Sequence, residues 1–184
     1  MDIATVIKKL KENDLRIKVV IPTLSALGIF KVEDWHGRNE QGKDVYFAYQ
    51  DPFGDYKHCC CFIKSGDITK SGKTDIKKME PQLKEAVVTK FVNPIDNKTE
   101  TKTEEIYILC NGQINKDAKE YIFQMISAHS MPNIRIIDGD KLVKIIMEKI
   151  IKPFNEKYGN GKQYIFSVDS YSDFCKSVIS ASGL

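Results

Sequence analysis

EQGKDVYFAYQDPFGDYKHCCCFIK, residues 40–64, is the stretch whose reading decides the fold of this 184-residue chain. Val45 to Gln50 is rich in β-branched and aromatic residues, which suit a pleated, half-buried surface. His58 to Ile63 is a short apolar run of strand length. Between them, Asp51-Pro52-Phe53-Gly54-Asp55 is dense in turn formers, so the two runs read as a hairpin. Folding it about Phe53 and Gly54 sets Asp44 across from Ile63 and Lys64, within cross-strand reach. An acid that opens one strand then meets a lysine that closes the next. Glu40 lies one glycine-containing loop upstream. Two carboxylates beside an ammonium can hold a divalent cation and orient a water against a phosphate.

Working outward, residues 2–11 place Ile3, Val6, Ile7 and Leu10 on one helical face. Asn13 or Asp14 reads as the N-cap of a second helix through Leu15, Val19, Val20, Leu24 and Leu27, which Gly28 ends. Pro22 lies inside that helix and predicts a kink or break. Residues 29–35 read as a strand. Downstream of the hairpin, residues 65–73 form a Ser/Gly/Lys loop. A helix starts at Thr74 or Asp75 and carries Ile76, Met79, Leu83, Ala86 and Val87 on one stripe, with Pro81 against it. Residues 93–103 are a polar insertion. Glu105 to Cys110 is a buried strand, Asn115 caps a helix through Ala118, Ile122, Met125 and Ile126, and Asn133 to Ile137 is a further strand. Residues 141–151 read as a helix that Pro153 ends. Beyond it lie a Gly159-Asn160-Gly161 turn, a short strand over 164–168 and an amphipathic helix near Phe174, Val178 and Ile179.

Strands interleaved with helices predict an α/β fold with a mixed central sheet flanked by helices. The hairpin supplies the antiparallel part and the later crossovers the parallel part. The domain is expected over residues 1–152, with an N-terminal helix over 1–12 and a core over 15–150, and residues 153–184 as a C-terminal appendage.

Composition removes several classes. A net charge of +3 carries no strongly basic tail, and arginine occurs only at positions 16, 38 and 135. No apolar run reaches membrane-spanning length, and the N-terminal stretch is an amphipathic helix and not a signal peptide. Five cysteines, three of them adjacent, make no disulfide framework and point to a reducing, cytoplasmic compartment. Cys59, Cys60 and Cys61 alternate faces on a strand and lack the spacing of zinc ligands, so they read as small buried hydrophobes. His36 and His58 flank the hairpin without a pattern that marks either as catalytic.

The order α-β-β-β-α-β, with an acid opening the second strand and a lysine closing the third, resembles the PD-(D/E)XK, or restriction-endonuclease-like, superfamily, and its Mrr-type members most closely. HGRNEQGKDVYF resembles that family's Glu-x-Gly-x-Asp entry to the second strand. CCCFIKSGDITKSGKTDI is similar to its strand-Lys-Ser-Gly-x-Ile loop and following helix, and YILCNGQINKDAKEYI with NIRIIDGDKLVKII to its later strand-helix-strand-helix.

The resemblance implies a metal-dependent DNA endonuclease, of a kind associated with defence against foreign DNA. Asp44 would be the central metal ligand, Glu40 the second carboxylate and the Ile63 carbonyl a further ligand for Mg²⁺ or Mn²⁺. Lys64 would position the attacking water and stabilise charge on the phosphate. Lys70, Lys73, Lys77 and Lys78 would track the DNA backbone, a salt-dependent and sequence-independent contact. A homodimer or a fused effector module is the further partner implied. The chain departs from the family at Phe62, where an acid or glutamine is the pattern. The competing reading is a nuclease-fold module that has lost its chemistry and binds DNA or a protein.

Overall fold

Strand β2 (Val45–Gln50) pairs antiparallel with β3 (Tyr56–Lys64), and this hairpin is the core of a five-stranded mixed sheet. The computed structural model describes residues 3–37, 43–71, 75–129, 133–158 and 167–182. β1 (Lys31–Asp34) adds to β2 antiparallel, while β6 (Glu105–Cys110) and β7 (Asn133–Ile137) add to β3 in parallel. The order is β1-β2-β3-β6-β7. β2 covers the residues expected of it, and β3 extends the expected run at both ends. β1 is shorter than the 29–35 expected.

The strand alternation divides the sheet between two apolar layers. Val45, Phe47, Cys59, Cys61 and Ile63 face one layer. It is closed by α1 (Ile3–Lys8), by α3 (Ile21–Ala26), by α6 (Gly139–Ile146) and by α8 (Val168–Ser182). Cys60, Phe62, Ile106 and Ile108 face the other, closed by α4 (Ile76–Val88) and α5 (Lys116–His129). The three adjacent cysteines are thus fully buried on alternating faces, as small hydrophobes. α8 follows Pro153, and its Tyr171, Phe174 and Cys175 are buried in the first layer, with the Tyr171 hydroxyl 2.9 Å from Thr23 Oγ1.

Capping chemistry explains where the second-layer helices start. Asp75 accepts the Lys77 N–H at 2.9 Å, at one of the two starts the sequence left open, and Asn115 accepts the Ala118 N–H at 2.8 Å, as the sequence predicted. α4 runs through Pro81 without breaking.

Three expectations for the first layer are corrected. The second helix begins at Glu12 (α2, Glu12–Asp14), with Lys11 at its N-cap, so neither Asn13 nor Asp14 caps it. Asn13 instead accepts a hydrogen bond from Arg16. At Pro22 the helix does not break: α2 passes through a π-helical turn (Leu15–Val20) into α3, where the proline occupies the first turn. The wider π-helical turn just before the proline makes room for its ring and absorbs the lost hydrogen bond, so the helix continues. The same device recurs at Pro153, which does not end its helix. α6 passes through a second π-helical turn (Met147–Ile151) into α7 (Lys152–Tyr158), again with the proline in the first turn.

The polar insertion is in part a hairpin, with β4 (Phe91–Val92) paired to β5 (Glu100–Thr101). Residues 159–166, where a turn and most of a short strand were expected, lie outside the described residues, and Val168 begins α8.

Candidate functional site

β3, β6 and β7 are parallel and end at the same edge of the sheet, at Lys64, Cys110 and Ile137. In parallel sheets, loops at the carboxyl ends of the strands are where ligand sites form. A cleft of about 900 Å³ opens there, lined by Glu12, Lys64, Asp67, Thr69, Asp75 and Lys78 among others.

Lys64 is one residue beyond Ile63, so the alternation of β3 turns it towards the α4 side of the sheet, with Cys60 and Phe62. Its ammonium does not go to Asp44. It pairs with Glu12 Oε1 at 3.2 Å, both side chains being about a quarter to a third exposed. Glu12 was not a candidate in the sequence. It comes from the first turn of α2, 52 positions away, and no local signal marks it.

Asp44 precedes β2 and is nearly buried. Its Oδ2 accepts the Ile63 N–H at 2.7 Å, and its Oδ1 lies 3.3 Å from His36 Nδ1. Asp44 and Lys64 therefore meet through one intervening backbone unit, while their charged groups engage different partners. Asp44 is not among the residues that line the cleft.

The register explains the offset. Asp51 Oδ1 accepts the N–H groups of Phe53 and Asp55, and this closes a loop centred on Phe53. Val45 then pairs with Cys61, so Asp44 stands opposite Phe62 and leans across to Ile63.

Polar contacts link the two acids around the end of the sheet. Arg16, almost fully buried, donates to Asn13 at 2.8 Å and forms an ion pair with Asp34 at 3.0 Å. Asp34 accepts the His36 N–H at 3.1 Å, and His36 reaches Asp44. The path Glu12–Lys64, Ile63–Asp44, His36–Asp34 and Arg16–Asn13 returns to the residue next to Glu12. A ring of hydrogen bonds and ion pairs of this kind holds helix, strand ends and loop in one register.

Beside Asp44 lies an aromatic box. Lys43 is 1 % exposed, with its ammonium 4.5 Å from the Phe91 ring and 5.5 Å from that of Trp35. Burial pulls its pKa down, against the attraction of Cys60 and Glu85. Trp35 stacks on Tyr46, whose hydroxyl is 2.8 Å from His58 Nδ1. Burial holds the Tyr46 phenol up and His58 down, so both are neutral at pH 7.

Of the remaining predicted residues, Lys78 lines the cleft, while Lys70 and Lys77 are exposed on the loop and first turn around it. Glu40 and Lys73 lie outside the described residues. Ile63 is fully buried.

Among the described residues, no three His, Cys, Asp or Glu side chains are grouped to hold a metal. Mg²⁺ does not need such a cage, because it keeps several waters and takes one or two carboxylates plus substrate phosphates. The hard oxygen donors of Asp44 and Glu12 fit that requirement in kind.

Comparison with protein-family models, curated proteins and solved structures finds no match for this chain. What stands is a mixed α/β fold with a five-stranded sheet and a charged cleft at the carboxyl ends of its parallel strands.

Proposed function

We propose that this chain is a metal-dependent phosphodiesterase acting on DNA, with its reaction centre where β2 begins and β3 ends. One observation carries the reading: the Asp44 carboxylate rests on the backbone of Ile63, the residue immediately before Lys64, and Lys64 holds a second carboxylate, Glu12. The acid that Phe62 does not supply from β3 is supplied from α2.

Asp44 and Glu12 would hold Mg²⁺ or Mn²⁺, and Glu40 is the further carboxylate that the family resemblance implies. A bound ion would lower the pKa of a coordinated water and neutralise charge on the phosphate. Lys64 offers a cation to a phosphate oxygen, and the Glu12 carboxylate keeps it in place until that oxygen arrives. Lys78 on the cleft wall and the exposed Lys70 and Lys77 extend the positive contact along the backbone.

A second reading has its own observation. Phe62 is fully buried in the apolar layer, and both Asp44 oxygens already have partners. A chain with this site could bind a phosphate backbone without cleaving it.

Plasmid cleavage in Mg²⁺ or Mn²⁺ separates the two. The nuclease reading expects nicking by the parent and a loss of at least about 100-fold in Asp44→Asn and in Lys64→Met. A folded parent that retards the plasmid but leaves it intact with either metal supports the binding module.

A further inference from the structure

Asn111 is 1 % exposed and stands just past the end of β6. Its side-chain amide donates to the Ile7 carbonyl at 2.8 Å and to the Leu10 carbonyl at 2.9 Å. Its Oδ1 accepts the Gly66 N–H at 2.6 Å. The amide thus uses both donors and its acceptor on backbone groups of two segments remote in sequence. One is the end of α1, two residues before Glu12. The other is the turn two residues after Lys64.

We propose that Asn111 is the positioning residue of the Glu12–Lys64 pair. The Ile7 carbonyl already accepts the Leu10 N–H at 3.1 Å where α1 ends, and Asn111 adds a side-chain donor to it and another to the Leu10 carbonyl. Asn111 bonds both carbonyls and ties the same point to Gly66, so the carboxylate and the ammonium are carried to the cleft on segments fixed to one side chain.

The surroundings give that side chain no slack. The Gln113 carbonyl accepts the Ile68 N–H at 2.9 Å, and the Gly112 carbonyl accepts the Gly139 N–H at 2.7 Å. Asp67 Oδ1 accepts the Gln113 N–H at 2.7 Å. A Cβ on Gly112 would collide with Asp67 and the Gly66 backbone, and one on Gly139 with the Asn111 carbonyl. The loops after β3 and β6 and the start of α6 are therefore packed backbone to backbone around Asn111. An amide is needed there: Asp keeps the acceptor for Gly66 but sets a carboxylate against two carbonyls.

The consequence for catalysis rests on the nuclease reading, but the positioning does not, and it is measured without substrate. A double-mutant cycle of Glu12→Gln and Lys64→Met gives the coupling of the pair from chemical denaturation. In the parent background we expect a coupling of roughly two- to five-fold in the unfolding constant, the range of a part-exposed ion pair. In the Asn111→Asp and Asn111→Ser backgrounds it is expected to vanish, although Glu12 and Lys64 are unchanged. A purely structural role would lower stability in every member of the cycle equally and leave the coupling intact, and that result overturns the proposal.

If neither variant folds, the parent decides by nuclear magnetic resonance. The Asn111 side-chain amide protons must then be protected from exchange as strongly as the Gly66 amide, and rapid exchange of those protons overturns it. Cleavage enters only as a last comparison: a parent that cleaves, with the coupling abolished in Asn111→Asp, should show kcat falling at least ten-fold with KM little changed. A parent that does not cleave removes the nuclease reading and leaves the coupling result standing.

Discussion

Asp44 accepts the backbone N–H of Ile63 at 2.7 Å from the far side of a hairpin, and the two residues are 19 positions apart. The bond is buried, so its removal is felt in two separate ways. Asp44→Ala leaves the Ile63 N–H without an acceptor, at a cost of about 1–3 kcal/mol. Asp44→Asn keeps an acceptor and changes the charge. Guanidinium denaturation should therefore show Asn close to the parent and Ala well below it. Equal loss in both would mean that the charge, and not the acceptor, stabilises the strand end.

If the chain binds DNA as proposed, the lysines around the cleft are expected to differ in their effect on that binding. Lys78 lines the cleft, whereas Lys70 and Lys77 are exposed around it. Removing one lysine–phosphate interaction lowers the slope of log K against log salt by about 0.9 for duplex DNA. Lys78→Ala should remove about one such unit, and Lys70→Ala or Lys77→Ala less. Fluorescence anisotropy with a labelled duplex across a salt series reads this directly. Equal small decreases at all three positions would place the DNA elsewhere.

The residues that were legible in the sequence are those whose signals are local. β-branched and aromatic residues marked β2, Asn115 marked its helix by capping chemistry, and the turn formers of 51–55 marked the hairpin. Its register was read one residue off, because the Asp51 side chain centres the loop on Phe53 and not between Phe53 and Gly54. The prolines misled for a related reason. A proline reads as a helix breaker, yet a π-helical turn just before Pro22 and Pro153 lets each chain continue. Glu12 and Asn111 could not be found at all. Each acts on a partner dozens of positions away, and a lone glutamate or an Asn-Gly turn carries no mark of that partner. The candidate site was therefore half visible: Asp44 and Lys64 stood out on the strands, while the residues that engage them come from helices and loops.

The cysteines give a direct test of the layered sheet. All five are buried. Burial pushes the thiols up, to about 12 for Cys60 and about 11 for Cys110 and Cys175. Thiolate is the reactive form, so little is available at pH 8. Iodoacetamide at that pH should add nothing to the native chain over the period in which it alkylates all five after unfolding. Intact mass spectrometry counts the adducts. Ready labelling of Cys59, Cys60 or Cys61 in the native chain would mean that β3 is not the central strand.

Lys43 sets two effects against each other, and pH decides between them. Its ammonium sits on the rings of Phe91 and Trp35, a contact worth on the order of 1–2 kcal/mol when desolvated. Burial of the charge opposes this, and it outweighs the attraction of Cys60 and Glu85, so the pKa lies below the ordinary 10.5. The unfolded chain therefore binds a proton more readily than the folded one between the lowered value and 10.5. Stability of the parent should rise with pH through that window, and below it the full penalty applies. Lys43→Met keeps the stem in the aromatic box and removes the charge. At pH 7 the variant is expected to be more stable than the parent by about 1 kcal/mol, with no alkaline rise from this position. Thermal denaturation of both proteins from pH 7 to 10.5 gives the comparison. A variant less stable than the parent at pH 7 would show that the cation–π contacts outweigh burial, and that the ammonium is part of what holds the start of β2 in place beside Asp44.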